Sequence, residues 1–257
     1  MEHWQDRTRL LIGDEGINTL KSKHVLVVGL GGVGAYAAEQ LARAGIGRMT
    51  IVDGDVVVAS NINRQLPALT NTIGRTKVDV MRERLMLINP EAEIVAICGR
   101  YNADTAATFH LEEYEYVIDA IDSLADKALL INSVSRLPHT ELFSSMGAAR
   151  KLDPSRIRIA EFRKITGDPL ARALRQRFKQ LGAFPERKFL CVYSDEIIPP
   201  TQPLSPAQPA EASSDRPETL PKQPRPNGTL AHITVIFGNM LASLVIRDRI
   251  AGKCLAV

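Results

Sequence analysis

The chain has 257 residues, 45% hydrophobic and 24% charged, with a formal net charge of +3; this is ordinary for a soluble globular protein and leaves length for a sizeable core, as one α/β domain or one domain with an appendage. Cys98, Cys191 and Cys254 are widely spaced and form no CxxC, which argues against a disulfide framework or zinc knuckle and suits a reducing cytosol. The charge is uneven: residues 150–188 hold twelve Lys or Arg against four Asp or Glu, a local +8 that leaves −5 on the rest and points to a polyanionic partner.

Residues 2–9 are charged and hold no apolar signal core. Residues 4–20 predict one or two short helices with Leu10, Leu11, Ile12, Ile17 and Leu20 as the apolar face. Arg7 and Arg9 there read as solvated surface. Residues 24–55 carry the strongest pattern: a β-branched run, Gly29-Leu-Gly31-Gly32-Val-Gly34, a helix to about Ile46, and a second strand ending at Asp53-Gly-Asp55. The first strand does not alternate, so both its faces are expected to be covered. Gly29 permits a tight turn, Gly31 lets phosphate approach the backbone, and Gly34 lets helix and strand pack closely. The helix start would hold an anion, and Asp53 sits where a carboxylate accepts ribose hydroxyls.

An amide-rich loop follows, Ser60-Asn61-Ile-Asn63-Arg64-Gln65, and Gly74-Arg-Thr-Lys77 opens a helix stopped by Asn89-Pro90. Strands at 94–97 and 116–121, a short helix at 104–110, a helix at 125–136 and a strand at 140–144 complete the alternation. It predicts an α/β fold, a Rossmann-like doubly wound, mostly parallel sheet whose ligand lies beyond the strand carboxyl ends. Beyond Gly147, residues 156–161 alternate like a half-exposed strand, and Asp168-Pro169 starts a basic helix. Residues 199–226 are rich in Pro, Ser, Ala and Gln and are expected to form a mobile loop. Residues 230–250 are apolar but interrupted by polar residues, and read as a buried helix or strand-plus-helix, with membrane contact left open.

The expected organisation is a core over 1–147, a basic substrate-side extension over 148–198 packed on that core, a Pro-rich loop over 199–228, and a returning apolar segment over 229–257. On residue types alone two chemistries stand level. Adenylyl transfer needs cations such as Arg64 and Lys77 on phosphate oxygens and carboxylates such as Asp122 for magnesium. Hydride transfer needs neither, and Arg64 and Lys77 would then be surface charges near an ordinary dinucleotide site.

Gly29-Leu-Gly-Gly-Val-Gly34, Asp53-Gly-Asp55, Ser60-Asn-Ile-Asn-Arg-Gln65, Gly74-Arg-Thr-Lys77 and Asp119-Ala-Ile-Asp122 follow the order and spacing of the ThiF/MoeB/HesA superfamily of adenylating enzymes, which the chain resembles over about residues 5–147. The resemblance implies ATP and Mg2+ as cofactors. It assigns Gly29, Gly31, Gly32 and Gly34 to the ATP loop, with Asp53 on the ribose and Asp55 beside it. Asn61, Arg64 and Gln65 approach the phosphates, Lys77 helps neutralise them, and Asp122 is the magnesium-associated acid near the α-phosphate. Arg9 then resembles an arginine that reaches into the partner subunit's ATP site, which implies a homodimer and displaces the surface reading.

Branches serving sulfur-carrier or ubiquitin-like proteins commonly carry paired CxxC zinc ligands, absent from this sequence. The second half instead resembles the tRNA threonylcarbamoyladenosine dehydratase branch, through Leu152-Asp-Pro-Ser-Arg-Ile157, Asp168-Pro-Leu170 and Cys191-Val-Tyr-Ser-Asp-Glu196. That resemblance implies adenylation of a threonyl carboxylate on tRNA, then ring closure with loss of AMP, in the cytoplasm. It also leaves room for cysteine-desulfurase or sulfur-acceptor partners. Activation of a small sulfur-carrier protein is the alternative, and a non-catalytic nucleotide sensor is a third reading that the presence of Arg64, Lys77 and Asp122 opposes. Cys191 is a candidate nucleophile, although a lone cysteine in an apolar strand is more often packed. Ser144-Ser-Met-Gly-Ala-Ala-Arg150 departs from the glycine-richer relatives, and the Pro-rich stretch has no counterpart.

Overall fold

A computed structural model describes residues 3–199 and 227–250. The Pro-rich stretch expected to be mobile, from residue 200 to 226, and Cys254 lie outside the described residues.

Among the described residues seven strands form one sheet: β1 (His24–Val28), β2 (Arg48–Val52), β3 (Glu93–Ile97), β4 (Tyr116–Asp119), β5 (Glu141–Ser145), β6 (Ile157–Glu161) and β7 (Leu190–Ser194). Their order is β3-β2-β1-β4-β5-β7-β6, parallel throughout except for the antiparallel β6–β7 pair. Every residue of β1 is buried, as its non-alternating Val-rich run requires of a central strand. The strand order reverses between β1 and β4, so the turns after these two strands diverge and open a crevice at the sheet's carboxyl edge.

Among the described residues six α-helices cover the sheet: α1 (Asp6–Lys21), α2 (Gly34–Ala44), α3 (Lys77–Ile88), α4 (Leu124–Ser135), α5 (Pro169–Leu181) and α6 (Ala231–Ile250). Val25 and Val27 of β1 pack with α2, α3 and α6, while Leu26 and Val28 pack with α4 and α5. The period of two along the strand thus feeds two separate cores. α5 starts as its sequence dictates, with the Asp168 carboxylate accepting from the Ala171 amide at 2.8 Å, Pro169 in the first turn, and Gly182 left-handed at the end.

Three expectations need correcting. Residues 148–198 do not pack on the sheet as an appendage; they extend it, with β7 inserted between β5 and β6. The Cys-Val-Tyr-Ser run of β7 is buried, and this is why it takes the inner position and leaves the alternating β6 at the edge. On α1, Leu10 and Leu11 are 83% and 85% exposed, and only Ile17 and Leu20 are buried. Gly13 breaks the helix with φ 70° and ψ 177°, so the residues before it lose phase with those after it. The short helix expected at 104–110 is two single turns hinged at His110, whose φ is 45°.

No helix among the described residues is long and apolar enough to cross a membrane. The face of α6 that raised the question, Ile233, Phe237, Leu241 and Val245, is fully buried in the core. α6 crosses α2 at Gly238, where an added Cβ would lie 2.5 Å from the Val33 carbonyl oxygen. Its far end is tied by the Tyr116 hydroxyl donating to Asp248 at 2.6 Å.

Candidate nucleotide and adenylation site

The turn leaving β1 needs its glycines for space. Gly29 has φ 94°, and a Cβ there would meet the Ala120 carbonyl oxygen at 2.7 Å. A Cβ on Gly34 would stand 1.8 Å from the Gly29 carbonyl oxygen, whereas one on Gly31 would meet nothing nearer than the Gln65 amide nitrogen at 3.9 Å. Gly29 and Gly34 therefore serve the fold, and Gly31 leaves open backbone for a ligand. The first turn of α2 points unpaired amides from this loop, a site suited to an anion.

Asp53 follows β2 with its side chain almost fully buried. Its Oδ2 accepts from the Leu30 amide at 2.7 Å and its Oδ1 from the Asp55 amide at 2.8 Å, so the same carboxylate fixes the glycine loop. Each oxygen keeps a further lone pair for a ligand hydroxyl. Lys77, buried at the start of α3, lies 2.9 Å from Asp55 and 3.7 Å from Asp53, and Arg100 reaches Asp55 at 2.8 Å. Burial raises the Asp55 pKa, but the Lys77 and Arg100 hydrogen bonds and charges outweigh it and hold the carboxyl below its usual range. Lys77 thus stands among carboxylates that balance its charge.

Arg64 differs. It donates to the Ser60 carbonyl at 3.1 Å and the Asn63 side chain at 2.8 Å, and forms no ion pair among the described residues. A guanidinium held by neutral acceptors keeps its charge available for phosphate. Asn61 is buried and accepts from the Val58 amide, which makes it a brace of this loop. Gln65 is buried, with its amide nitrogen the nearest group to the open face of Gly31 and its Oε1 unpartnered, an orphaned acceptor of the sort a ligand or water completes.

Two sets of residues hold positions to which the sequence reading gave no role. Thr234 on α6 lies 3.1 Å from where a Cβ on Gly32 would be, and its hydroxyl, donating to the Ala231 carbonyl at 3.0 Å, stands 3.5 Å from the Arg64 carbonyl, while the Asn63 amide donates to the Thr229 carbonyl at 3.0 Å. The second set is Asp119, Lys127 and Ser144, all fully buried. Lys127 Nζ is 2.7 Å from Asp119 Oδ2 and 2.9 Å from the Ile121 carbonyl, and the Ser144 hydroxyl donates to Asp119 Oδ2 at 2.6 Å. A lysine placed next to Ala128 and three and four residues before Leu130 and Ile131, on the apolar stripe of α4, was the available signal. Asp122, three residues past Asp119, is exposed at the carboxyl edge beyond β4.

Cys191 is corrected. It is fully buried in β7, paired across the strands with Ser144. Burial pushes its thiol well above the usual cysteine range despite the nearby Lys127, so it is a packed, protonated thiol with no access for a nucleophilic role. Arg9 is half-buried on α1 and bonded within its own helix to Asp6 at 2.6 Å and Asp14 at 2.7 Å, so the chain by itself does not bring it to the glycine loop.

The basic block also divides. Arg150, Lys151, Arg163 and Arg175 donate to main-chain carbonyls, Arg156 pairs with Asp195, and Arg187 binds Leu137, Thr140 and Glu141. Arg158, Lys164, Arg172, Lys179 and Lys188 are exposed and form no ion pair among the described residues.

The model of the ThiF family matches residues 5–250. A tRNA threonylcarbamoyladenosine dehydratase of Bacillus subtilis is 43% identical over 196 residues, 76% of each chain. The E. coli tRNA N6-threonylcarbamoyladenosine dehydratase TcdA, solved in complex with ATP, superposes with a TM-score of 0.80 at 33% identity, covering 98% of this chain and 97% of that one. A molybdopterin-synthase adenylyltransferase of Salmonella typhimurium is 40% identical over 111 residues, only 43% of this chain and 44% of that one.

Proposed function

The chain belongs to the ThiF family, and from that premise we propose the reaction its site performs. It is an ATP-dependent tRNA threonylcarbamoyladenosine dehydratase. The observation that carries the reading is Arg64, a cation with no carboxylate partner among the described residues, next to the Gln65 that faces the open backbone of Gly31.

In this reading the threonyl carboxylate of the modified adenosine attacks the α-phosphorus of ATP. Pyrophosphate leaves and an acyl-adenylate forms. A nucleophile within the modification then attacks the activated carbonyl, the ring closes, and the carboxylate oxygen departs with AMP. The tRNA has lost one water. The Gly31–Gly32 backbone and the α2 start cradle the phosphates, Asp53 accepts from the ribose, and Arg64 stabilises charge on the leaving oxygens. Lys77 joins it only by exchanging Asp55 for phosphate. Magnesium, when bound, neutralises phosphate charge, and Asp122 is the residue that would hold it.

The exposed cations around α5 supply tRNA phosphate contacts, and Arg9 completes the ATP site of a second subunit. The exposure of Leu10 and Leu11 beside Arg9 supports a covered α1 in a homodimer. The sulfur-carrier alternative is not adopted, because the sequence holds no paired CxxC zinc motif and Cys191, the candidate acceptor, is fully buried.

The test is to incubate the protein with ATP, magnesium and tRNA carrying threonylcarbamoyladenosine, then weigh the nucleosides. Loss of one water with stoichiometric AMP is expected, and Arg64→Ala lowers the rate by about 100–1,000-fold, the scale for losing one preorganised donor to a developing charge. An unchanged nucleoside mass, with AMP formed only on adding a carrier protein, overturns the reading. Arg9→Ala and Asp122→Ala chains, each strongly impaired but measurable alone, are expected to regain activity when mixed; no regain removes the shared-site role of Arg9.

A further inference from the structure

Asp119 and Lys127 form a fully buried ion pair that the reaction does not touch. Such a pair is seldom kept for stability alone, since apolar residues of similar volume often serve as well. Its geometry is specific. Asp119 Oδ1 accepts from the Ile121 amide at 3.1 Å, and Lys127 Nζ donates to the Ile121 carbonyl at 2.9 Å while lying 2.7 Å from Asp119 Oδ2. Both polar groups of Ile121 are thereby closed into one ring, with the Ser144 hydroxyl holding Oδ2 from the neighbouring strand. The ring ends one residue before Asp122. Ala120, inside the same turn, donates to the Val28 carbonyl and presents its own carbonyl to Gly29.

The geometry points to Lys127 as a positioning residue. Through Asp119 it locks the 119–122 turn in the one shape that directs Asp122 from the carboxyl end of β4 toward the glycine loop. Lys127 meets no substrate; it acts through Asp122 and the Gly29 contact. Orienting groups behind a functional carboxylate typically carry about a 10–100-fold share of activity. This inference rests on the role given to Asp122 above.

The test uses Asp119→Asn combined with Lys127→Met, which removes both charges together and leaves the Asn oxygen to accept from Ile121. The paired variant is expected to melt close to the parent and to bind tRNA equally well. Its turnover should fall about 10–100-fold, and the amides of residues 120–122 should exchange with deuterium at least about tenfold faster in the nucleotide-free protein. In an Asp122→Asn background the same pair should cost no further turnover. A full additional loss there, or unchanged exchange at 120–122, overturns the inference. Asp122→Asn with undiminished turnover instead overturns the role of Asp122 itself, and the two failures are read separately. If the paired variant does not fold, Ser144→Ala carries the same cycle. A fall that vanishes in the Asp122→Asn background supports the lock, while no fall, or an equal fall in both backgrounds, overturns it.

Discussion

A Cβ at Gly34 would lie 1.8 Å from the carbonyl oxygen of Gly29, so the start of α2 rests directly on the end of β1. Gly31, three residues earlier, faces open space. Gly34→Ala is therefore expected to destabilise by more than about 4 kcal/mol, the range reserved for unrelieved core clashes. Gly31→Ala should fold with a melting temperature near the parent yet bind ATP more weakly, by about 1–3 kcal/mol for lost charge-assisted amide bonds. Thermal melts and ATP calorimetry on the two variants check the division.

Cys191 predicts a negative result. Cys191→Ala should keep turnover within about twofold while losing about 1 kcal/mol of stability for a small buried group. Peptide mapping after alkylation of the native protein at neutral pH should find the exposed Cys98 modified and Cys191 intact. Rapid labelling of Cys191 would contradict its burial.

Glu39 on α2 is buried between two half-exposed arginines, with Arg84 at 2.5 Å and Arg43 at 2.8 Å. Burial pushes its carboxyl up, but the Arg84 and Arg43 hydrogen bonds and charges prevail and hold it below the ordinary glutamate range. A carboxyl with a depressed folded pKa stabilises above its unfolded value of about 4.3, and that contribution disappears as pH falls through the folded one. Glu39→Gln should cost about 1–2 kcal/mol at pH 7, below the cost of stranding a buried charge because both arginines can rehydrate. The gap between parent and variant should close on titrating into strong acid, as followed by urea midpoints.

Lys164 and Arg172 are exposed, whereas Arg187 is bound to Leu137, Thr140 and Glu141. Lys164→Ala with Arg172→Ala should weaken tRNA binding and flatten the slope of log affinity against log salt by roughly 0.7–0.9 per lost phosphate contact, leaving stability unchanged. Arg187→Ala should do the reverse, lowering the melting temperature with little change in slope. Filter binding across a salt series separates them.

Much of the nucleotide half was legible because local patterns and tertiary role coincide there. The buried run of β1, the glycine spacing and Asp53 each constrain backbone within a few residues. What stayed hidden depends on pairing at a distance. Nothing local says that β7 enters between β5 and β6, or that the Arg187 side chain is spent on carbonyls about fifty residues earlier in the chain. A charge count treats that arginine and Lys164 alike. Lys127 was missed for a related reason: lysine normally marks solvent, and only its phase on α4 showed that it pointed inward. The Leu10 and Leu11 expectation failed at Gly13, where one residue resets the helix phase.

Thr234 closes over Gly32 and reaches the Arg64 carbonyl from 170 residues further along the chain. Synthesis proceeds from the amino end, and the segments already made begin to fold as they emerge. The glycine loop, Asp53 and Arg64 therefore leave the ribosome long before the helix that braces them, and β6 waits for β7 before it has a neighbour. A nascent chain truncated before residue 231 carries every residue proposed to meet the nucleotide and still lacks the helix that packs behind Gly32. The loop and its brace thus meet only once α6 has docked.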